Sequence, residues 1–273
     1  MSEVFTWHEG DGPFLVSIPH DGREIPADIA ARMTAAGRAI PDTDWHVRRL
    51  YAFAESIGAG VIAARYSRYV VDLNRSPDDD VLYPGRVSTG LCPAQTFAGE
   101  DIYSGGGEVD AAEKRERIAR YWKPYHDGLA SRLEAIRKEF GYAILWDAHS
   151  IRGRVPRLFE GDLPDLNIGT NDGRSCPPAI EQRLAEAAAA LPYSFVVNGR
   201  FKGGYITRHY GRPAEGVYAV QLEIAQRCYM DEDSFELDEE KAERLAQSIR
   251  LLLAACHAGA TIGAQETEPE ELE

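Results

Sequence analysis

Two histidines stand in matching positions in the chain. His20 lies in Ser17-Ile18-Pro19-His20-Asp21-Gly22, just past the apolar run Phe14 to Ile18 that Pro19 stops. His149 lies in Trp146-Asp147-Ala148-His149-Ser150, just past the apolar run Tyr142 to Trp146. Open α/β sheets bind ligands outside the carboxyl ends of their strands, so the two imidazoles could meet there. Two neutral imidazoles and one carboxylate, with a fourth position left for water, are a common catalytic zinc set. Asp44, Asp42 and Glu24 are the candidate carboxylates. Asp44 also stands where a helix N-cap belongs, before Trp45; with two oxygens it can serve both ends. A single histidine after a strand is more often a packing or capping residue, and it is the matched pair that brings the metal reading level with the structural one. Asp147, two residues before His149, shares its side if the strand continues and could then orient the ring as an acceptor.

Glu223 is the second unusual residue. In Val217 to Ile224, Val220, Leu222 and Ile224 share one face, so Glu223 points with Ala219 and Gln221 to the other. Were that face buried, the carboxyl would be driven toward its neutral form, and a carboxylate of raised pKa near an activated water suits a general base. On a wet edge it would be an ordinary surface residue. Three basic groups raise the opposite question, of what they bind in an acidic protein. Arg75 follows Asp72-Leu73-Asn74; Arg208 and His209 follow Lys202-Gly203-Gly204-Tyr205-Ile206-Thr207; Arg152, Arg154 and Arg157 follow His149. Guanidinium groups match carboxylates with paired hydrogen bonds, which suits a small anionic substrate; surface salt bridges are the competing use.

Other chemistries find little support. The chain has no GxxxxGK[ST], GxGxxG after a strand, GxSxG or HExxH. Its four cysteines, Cys92, Cys176, Cys228 and Cys256, form no CxxC pair, which argues against a disulfide framework or a thiolate zinc site and for a reducing cytoplasm. A cysteine hydrolase using Cys176 or Cys92 remains a rival.

The elements that must carry these residues alternate between strand and helix, which points to an α/β fold. Strands are expected at 14–18, 61–66, 69–73, 142–146, 194–197 and 217–224. Helices are expected at 45–57, ending at Gly58, and at 241–256, with another marked by Ile180, Leu184 and Leu191. The clearest period runs through Ile118, Trp122, Tyr125, Leu129, Leu133, Ile136 and Phe140, at steps of 4, 3, 4, 4, 3 and 4. Pro124 within it predicts a kink or a helix restarting there, and Gly141 ends it. The stretches 74–107 and 150–178, rich in Pro and Gly, show no period and read as functional loops.

Composition sets the outer limits. The 273 residues are 44% hydrophobic and 27% charged, ordinary for a globular chain, and net charge is −14 without a clustered basic stripe, which disfavours nucleic acid. No apolar run approaches the roughly 18 residues of a membrane span, and acidic Met1 to Gly12 does not read as a signal peptide. Five glutamates in the last eight residues read as a solvated tail, so a single catalytic domain is expected over 1–264 with an acidic disordered tail at 265–273. Oligomeric state is not legible.

The motifs quoted above, with Asp42-Thr43-Asp44-Trp45-His46-Val47, Arg49-Leu50-Tyr51, Val71-Asp72-Leu73-Asn74-Arg75, Phe201 to Gly211 and Gln221-Leu222-Glu223, occur in an order that resembles the N-formylglutamate amidohydrolase family. The resemblance runs from about residue 14 to 225 and implies a three-layer α/β/α fold with a mostly parallel mixed sheet, similar to zinc carboxypeptidases and aspartoacylases. It implies cleavage of N-formyl-L-glutamate to glutamate and formate in histidine degradation, with one divalent ion, expected to be zinc, and a small anionic substrate. It implies His20 and His149 as metal ligands and Glu223 as the catalytic carboxylate. Carboxypeptidases place a Glu three residues after the first His, but here Arg23 stands there, so the third ligand is assigned to Asp44. Arg75 and Arg208, helped by Asn74, would clamp the substrate carboxylates, with Lys202 and His209 beside them. An amidase for N-acetyl or N-succinyl acidic amino acids, and a non-catalytic binder of such acids, are the alternatives.

Overall fold

In the computed structural model, which describes residues 3–80, 89–106 and 109–267, the strands form one mixed sheet. They are β1 (Phe5–His8), β2 (Phe14–Ile18), β3 (Gly60–Ala64), β4 (Ala143–Ile151), β5 (Leu166–Gly169), β6 (Phe195–Val197) and β7 (Val217–Ala225), in the order β1-β3-β2-β4-β7-β5-β6. The central pairs β3–β2–β4–β7 are parallel; β1 joins β3, and β5 joins β7, antiparallel. The α-helices are α1 (Ala27–Ala30), α2 (Ala35–Arg38), α3 (Val47–Leu50), α4 (Ala111–Arg117), α5 (Lys123–Phe140), α6 (Pro178–Ala189), α7 (Tyr205–Tyr210) and α8 (Glu239–Thr267).

Side chains alternate across the pleat, and this period of two builds two cores. Phe14, Val16 and Ile18 of β2, Ile144, Trp146 and Ala148 of β4, and Tyr218, Val220, Leu222 and Ile224 of β7 pack with Ile180 and Leu184 of α6 and Leu245, Ile249 and Leu252 of α8. On the opposite face Leu15, Leu145 and Ala219 pack with Tyr125, Leu129 and Leu133 of α5. Continuing along that second face, the odd-numbered positions of β4 and β7 become Asp147 and His149, Gln221 and Glu223. The alternation that fills the α5 core therefore delivers polar groups to the same face further along the strands.

Three expectations change. β4 runs to Ile151, so His149 lies within the strand rather than after it, and Asp147 shares its face. The segment 69–73 is a buried loop: Arg117 Nη1 donates to the Tyr69 and Val70 carbonyls, and His126 Nε2 lies 2.9 Å from the Leu73 carbonyl. Side chains there satisfy a backbone that a neighbouring strand would otherwise pair, so β-branched composition alone misleads. The expected helix 45–57 is a single turn, α3, followed by a 3₁₀ turn at Ala54–Ile57 that ends at Gly58 with φ of +72°.

Helix α4 passes through a π-turn, Ile118–Trp122, into α5, which has Pro124 in its first turn and a left-handed Gly141 at its end. Strands β1 and β5 and helix α7 carry too few residues to show a period. Helix α8 has the length and apolar content of a membrane span, a feature spread between polar residues, but its apolar side is used in the first core. It extends to Thr267, beyond the expected start of the tail at 265; the remainder, 268–273, lies outside the described residues, as do 81–88 and 107 within the first long loop.

Candidate metal centre

His20, Asp44 and His149 converge, all buried, with one potential ligand atom of each within 4.8 Å of the others. The imidazole centroids are 4.9 Å apart. His149 Nδ1 lies 3.0 Å, and His20 Nδ1 3.7 Å, from Asp44 Oδ2. Three elements supply them: the loop after β2 gives His20, the segment before α3 gives Asp44, and β4 gives His149.

His20 is held from behind by a second carboxylate, and His149 by the Asn74 side-chain N–H, 2.8 Å from its Nε2, with a carboxylate beside it. His20 Nε2 lies 2.8 Å from Asp72 Oδ1, and His149 Nε2 lies 3.1 Å from Asp147 Oδ1. Asp147 lies beside the His149 ring as expected, but the hydrogen bond to Nε2 comes from Asn74; Asp72, which backs His20, is the carboxylate that sequence reasoning missed, though a lone acid between Val71 and Leu73 was its signal. Both carboxylates are themselves fixed. Arg68 Nη2 and the Asn74 amide N–H donate to Asp72 at 2.7 and 2.9 Å, while Asn74 Nδ2 and Thr207 Oγ1 each donate to Asp147 Oδ2 at 3.2 Å. With the Nε2 sides taken, the Nδ1 sides face Asp44. His20 Nδ1 and Asp44 Oδ1 are buried without a hydrogen-bond partner. Orphaned donor atoms of this kind, backed by carboxylates on the far side of each ring, fit a divalent cation.

The electrostatics separate two buried carboxyl groups. Burial alone would raise Asp44, but the hydrogen bond to His149 and the nearby His20 imidazole outweigh it and hold the group below its ordinary range. Burial likewise works against charge on His149, and Asp147 and Asp44 together hold its pKa well above normal. Glu223, paired in register with His149 across β4 and β7 and only 8% exposed, is pushed up to about 8 by burial. Its side-chain neighbour is Gln221, 3.5 Å away, whose Oε1 is already taken by the Gly204 N–H.

These residues line one cavity of about 100 Å³, together with Arg68, Asn74, Arg75, Thr89, Phe97, Phe159, Arg200 and Phe201 among others. Of the alternative carboxylates, Asp42 accepts from Tyr69 Oη and the Phe97 N–H, and Glu24 pairs with Arg65 on the surface. Asn74 is present, but its amide is spent inside the protein: Oδ1 accepts from the Ile206 N–H, and Nδ2 faces Asp147 and His149. Gly204 is required by this contact, since a Cβ there would sit 2.3 Å from Asn74 Nδ2. The glycine pair thus admits a side chain of the protein itself. Lys202, Arg208 and His209 do not line the cavity. Lys202 pairs with Asp172 at 2.9 Å, Arg208 Nε donates to the Gly203 carbonyl, and His209 stacks on Tyr205, because α7 turns its last residues away from the strand ends. Arg152 and Arg157 also lie elsewhere, on Asp233 and on the Thr96 carbonyl. Arg200 and Arg68 line the cavity without having been singled out, each hidden among many surface-type arginines. Cys92 and Cys176 do not line it, and burial pushes their thiols up to about 11 and about 12, unsuited to nucleophilic attack.

An α/β sheet carrying a buried His-Asp-His group that could hold a metal ion, beside a carboxyl of raised pKa, is the equipment of a hydrolase. The chain belongs to the N-formylglutamate amidohydrolase family, whose model matches residues 12–230. It is 51% identical over 255 residues to the N-formylglutamate deformylase of Pseudomonas aeruginosa, covering 93% of this chain and 96% of that one. It is 47% identical over 257 residues to the Pseudomonas putida deformylase, with the same coverage. The crystal structure of N-formylglutamate amidohydrolase from Ralstonia eutropha JMP134 superposes with a TM-score of 0.79 at 28% identity, covering 97% of this chain and 99% of that one. The Agrobacterium tumefaciens gene product Atu2144 shares the fold, with a TM-score of 0.72 at 20% identity, covering 94% of this chain and 96% of that one.

Proposed function

We propose that the protein hydrolyses N-formyl-L-glutamate to L-glutamate and formate, with one divalent ion held by His20, Asp44 and His149. The observation that carries this reading is the pair of orphaned buried atoms, His20 Nδ1 and Asp44 Oδ1, in the cavity that Glu223 also lines. Two imidazoles and a carboxylate suit zinc first, with iron, manganese or cobalt as substitutes. When bound, such an ion supplies Lewis acidity to the amide carbonyl and to the attacking water.

The remaining roles belong to the chain. Glu223 takes the proton of the attacking water on its carboxylate and returns it to the leaving amine, for which a pKa of about 8 keeps both forms accessible. Asp72 and Asp147 hold the imidazoles in one orientation, so little reorganisation accompanies the reaction. Arg75 anchors a substrate carboxylate, its guanidinium set by the Thr89 carbonyl at 2.9 Å and Thr89 Oγ1 at 3.2 Å. A one-carbon acyl group is the choice favoured by the likeness to two N-formylglutamate deformylases. We place the reaction in histidine degradation and the enzyme in the cytoplasm, the latter because its four cysteines form no CxxC pair.

Formate release from N-formyl-L-glutamate, measured beside elemental analysis of the purified protein, tests this reading. Activity that follows metal content and is lost on chelation is expected. Metal-independent activity, or equal rates on the N-formyl, N-acetyl and N-succinyl amides, would defeat it.

A further inference from the structure

Three guanidinium groups line the cavity, and they differ in what they already hold. Arg68 is buried and spent: it lies 2.7 Å from Asp72 and 3.6 Å from Asp44. Arg75 and Arg200 are half-buried, and among the described residues neither forms an ion pair with an acid, in a chain of net charge −14. Arg75 donates to Thr89 and to its neighbouring carbonyl, contacts that position it without neutralising it. Arg200 makes a single long contact to the Leu158 carbonyl, 3.5 Å, and lies over the Phe159 ring at 5.0 Å. That ring belongs to a small apolar cluster with Phe97, Ile151, Val155 and Leu163, separate from both sheet cores, with Phe201 packed against it. A half-buried guanidinium resting on an aromatic face with no acid in an ion pair is free to take up a carboxylate.

Two carboxylates on the substrate match in number the two cavity guanidinium groups that, among the described residues, form no ion pair with an acid. Arg75 follows Asn74, which touches His149, and so belongs near the scissile amide and the α-carboxylate beside it. Arg200 makes its contacts with Leu158 and Phe159, and among the described residues has no hydrogen bond to His20, Asp44 or His149.

We infer that Arg200 is the specificity-determining residue that recognises the side-chain carboxylate of the substrate, making the site selective for N-acyl derivatives of dicarboxylic amino acids. The inference rests on the hydrolase reading above. It moves the second anchor from Arg208, the residue expected from sequence, to a cation inside the cavity. An unpaired charged donor facing a neutral amide in its place rejects that analogue strongly.

The test compares N-formyl-L-glutamate with N-formyl-L-glutamine, which differ only in that carboxylate, on the metal-loaded native protein, R200Q and R200K. The native enzyme should favour the glutamate substrate by about 100-fold in kcat/KM. R200Q should lose most of that preference, chiefly through a higher KM for N-formyl-L-glutamate, and R200K should recover part of it. R200Q slowing both substrates equally with the preference intact would overturn the inference, as would loss of the preference in R208Q but not in R200Q. If the native protein releases no formate from either compound, the hydrolase reading fails separately. Calorimetric binding of L-glutamate against L-glutamine then decides: a preference lost in R200Q supports the carboxylate role, and one retained refutes it.

Discussion

The two ends of the cavity treat charge in opposite ways. At the buried end every ion has a partner in the protein: Asp72 holds His20 and Arg68, Asp147 holds His149, and Asp44 is held low by the two imidazoles. At the half-buried end Arg75 and Arg200 rest on a threonine and an aromatic ring. The buried end is fixed in geometry and ionisation by folding itself, which a metal site needs because its ligands must not reorganise. The outer end leaves its charge to be satisfied by the ligand, which is how selectivity arises. Glu223 stands between the two conditions. It too is buried but has no cation in hydrogen-bond contact, so burial raises it where Asp44 is lowered.

The contrast can be broken at graded cost. Replacing a ligand should have the largest effect: Asp44→Asn or His20→Ala should reduce bound metal to background and abolish formate release, read by elemental analysis and assay. Glu223→Gln should come next, lowering kcat by roughly 10²–10⁴-fold while metal content stays at the native level; a parallel loss of metal would make Glu223 a ligand instead. Asp72→Asn or Asp147→Asn should weaken metal affinity by about 10–100-fold, measured by competition with a chelator, because the ring it orients is released.

A last effect, on stability and outside the reacting groups, concerns His126, which lies behind the loop that carries Asp72 and Asn74. Burial lowers its pKa to about 3, while its ring nitrogens face the Leu73 carbonyl and Tyr210 Oη. An unfolded histidine titrates near 6.5, so between about 3 and 6.5 the unfolded chain binds the extra proton and the native one does not. This contribution to stability is whole above that window and falls as pH drops through it, by at most about 1.4 kcal/mol per pH unit. His126→Gln should flatten the pH dependence of denaturant unfolding there; an unchanged slope would show that the ring is not kept neutral.

Residue type and local period made much of this legible. The apolar runs of β2, β4 and β7, the helix restarting at Pro124, and the pairing of His20 with His149 could all be read along the chain, because each depends on a period of two or 3.6 or on a side chain of limited chemistry. The loop at 69–73 was read as a strand, since nothing local announces that Arg117 and His126 will satisfy its carbonyls.

The convergence of Asp44 with the two imidazoles, the backing of His20 by Asp72, and the presence of Arg200 rather than Arg208 on the cavity wall came from tertiary structure alone. A side chain's type states what it can bind, and that much is written in the chain. Whether a charge is already spent depends on which distant groups the sheet brings within about 3 Å of it, and residues 44 and 149, or 20 and 72, meet only when the strands align.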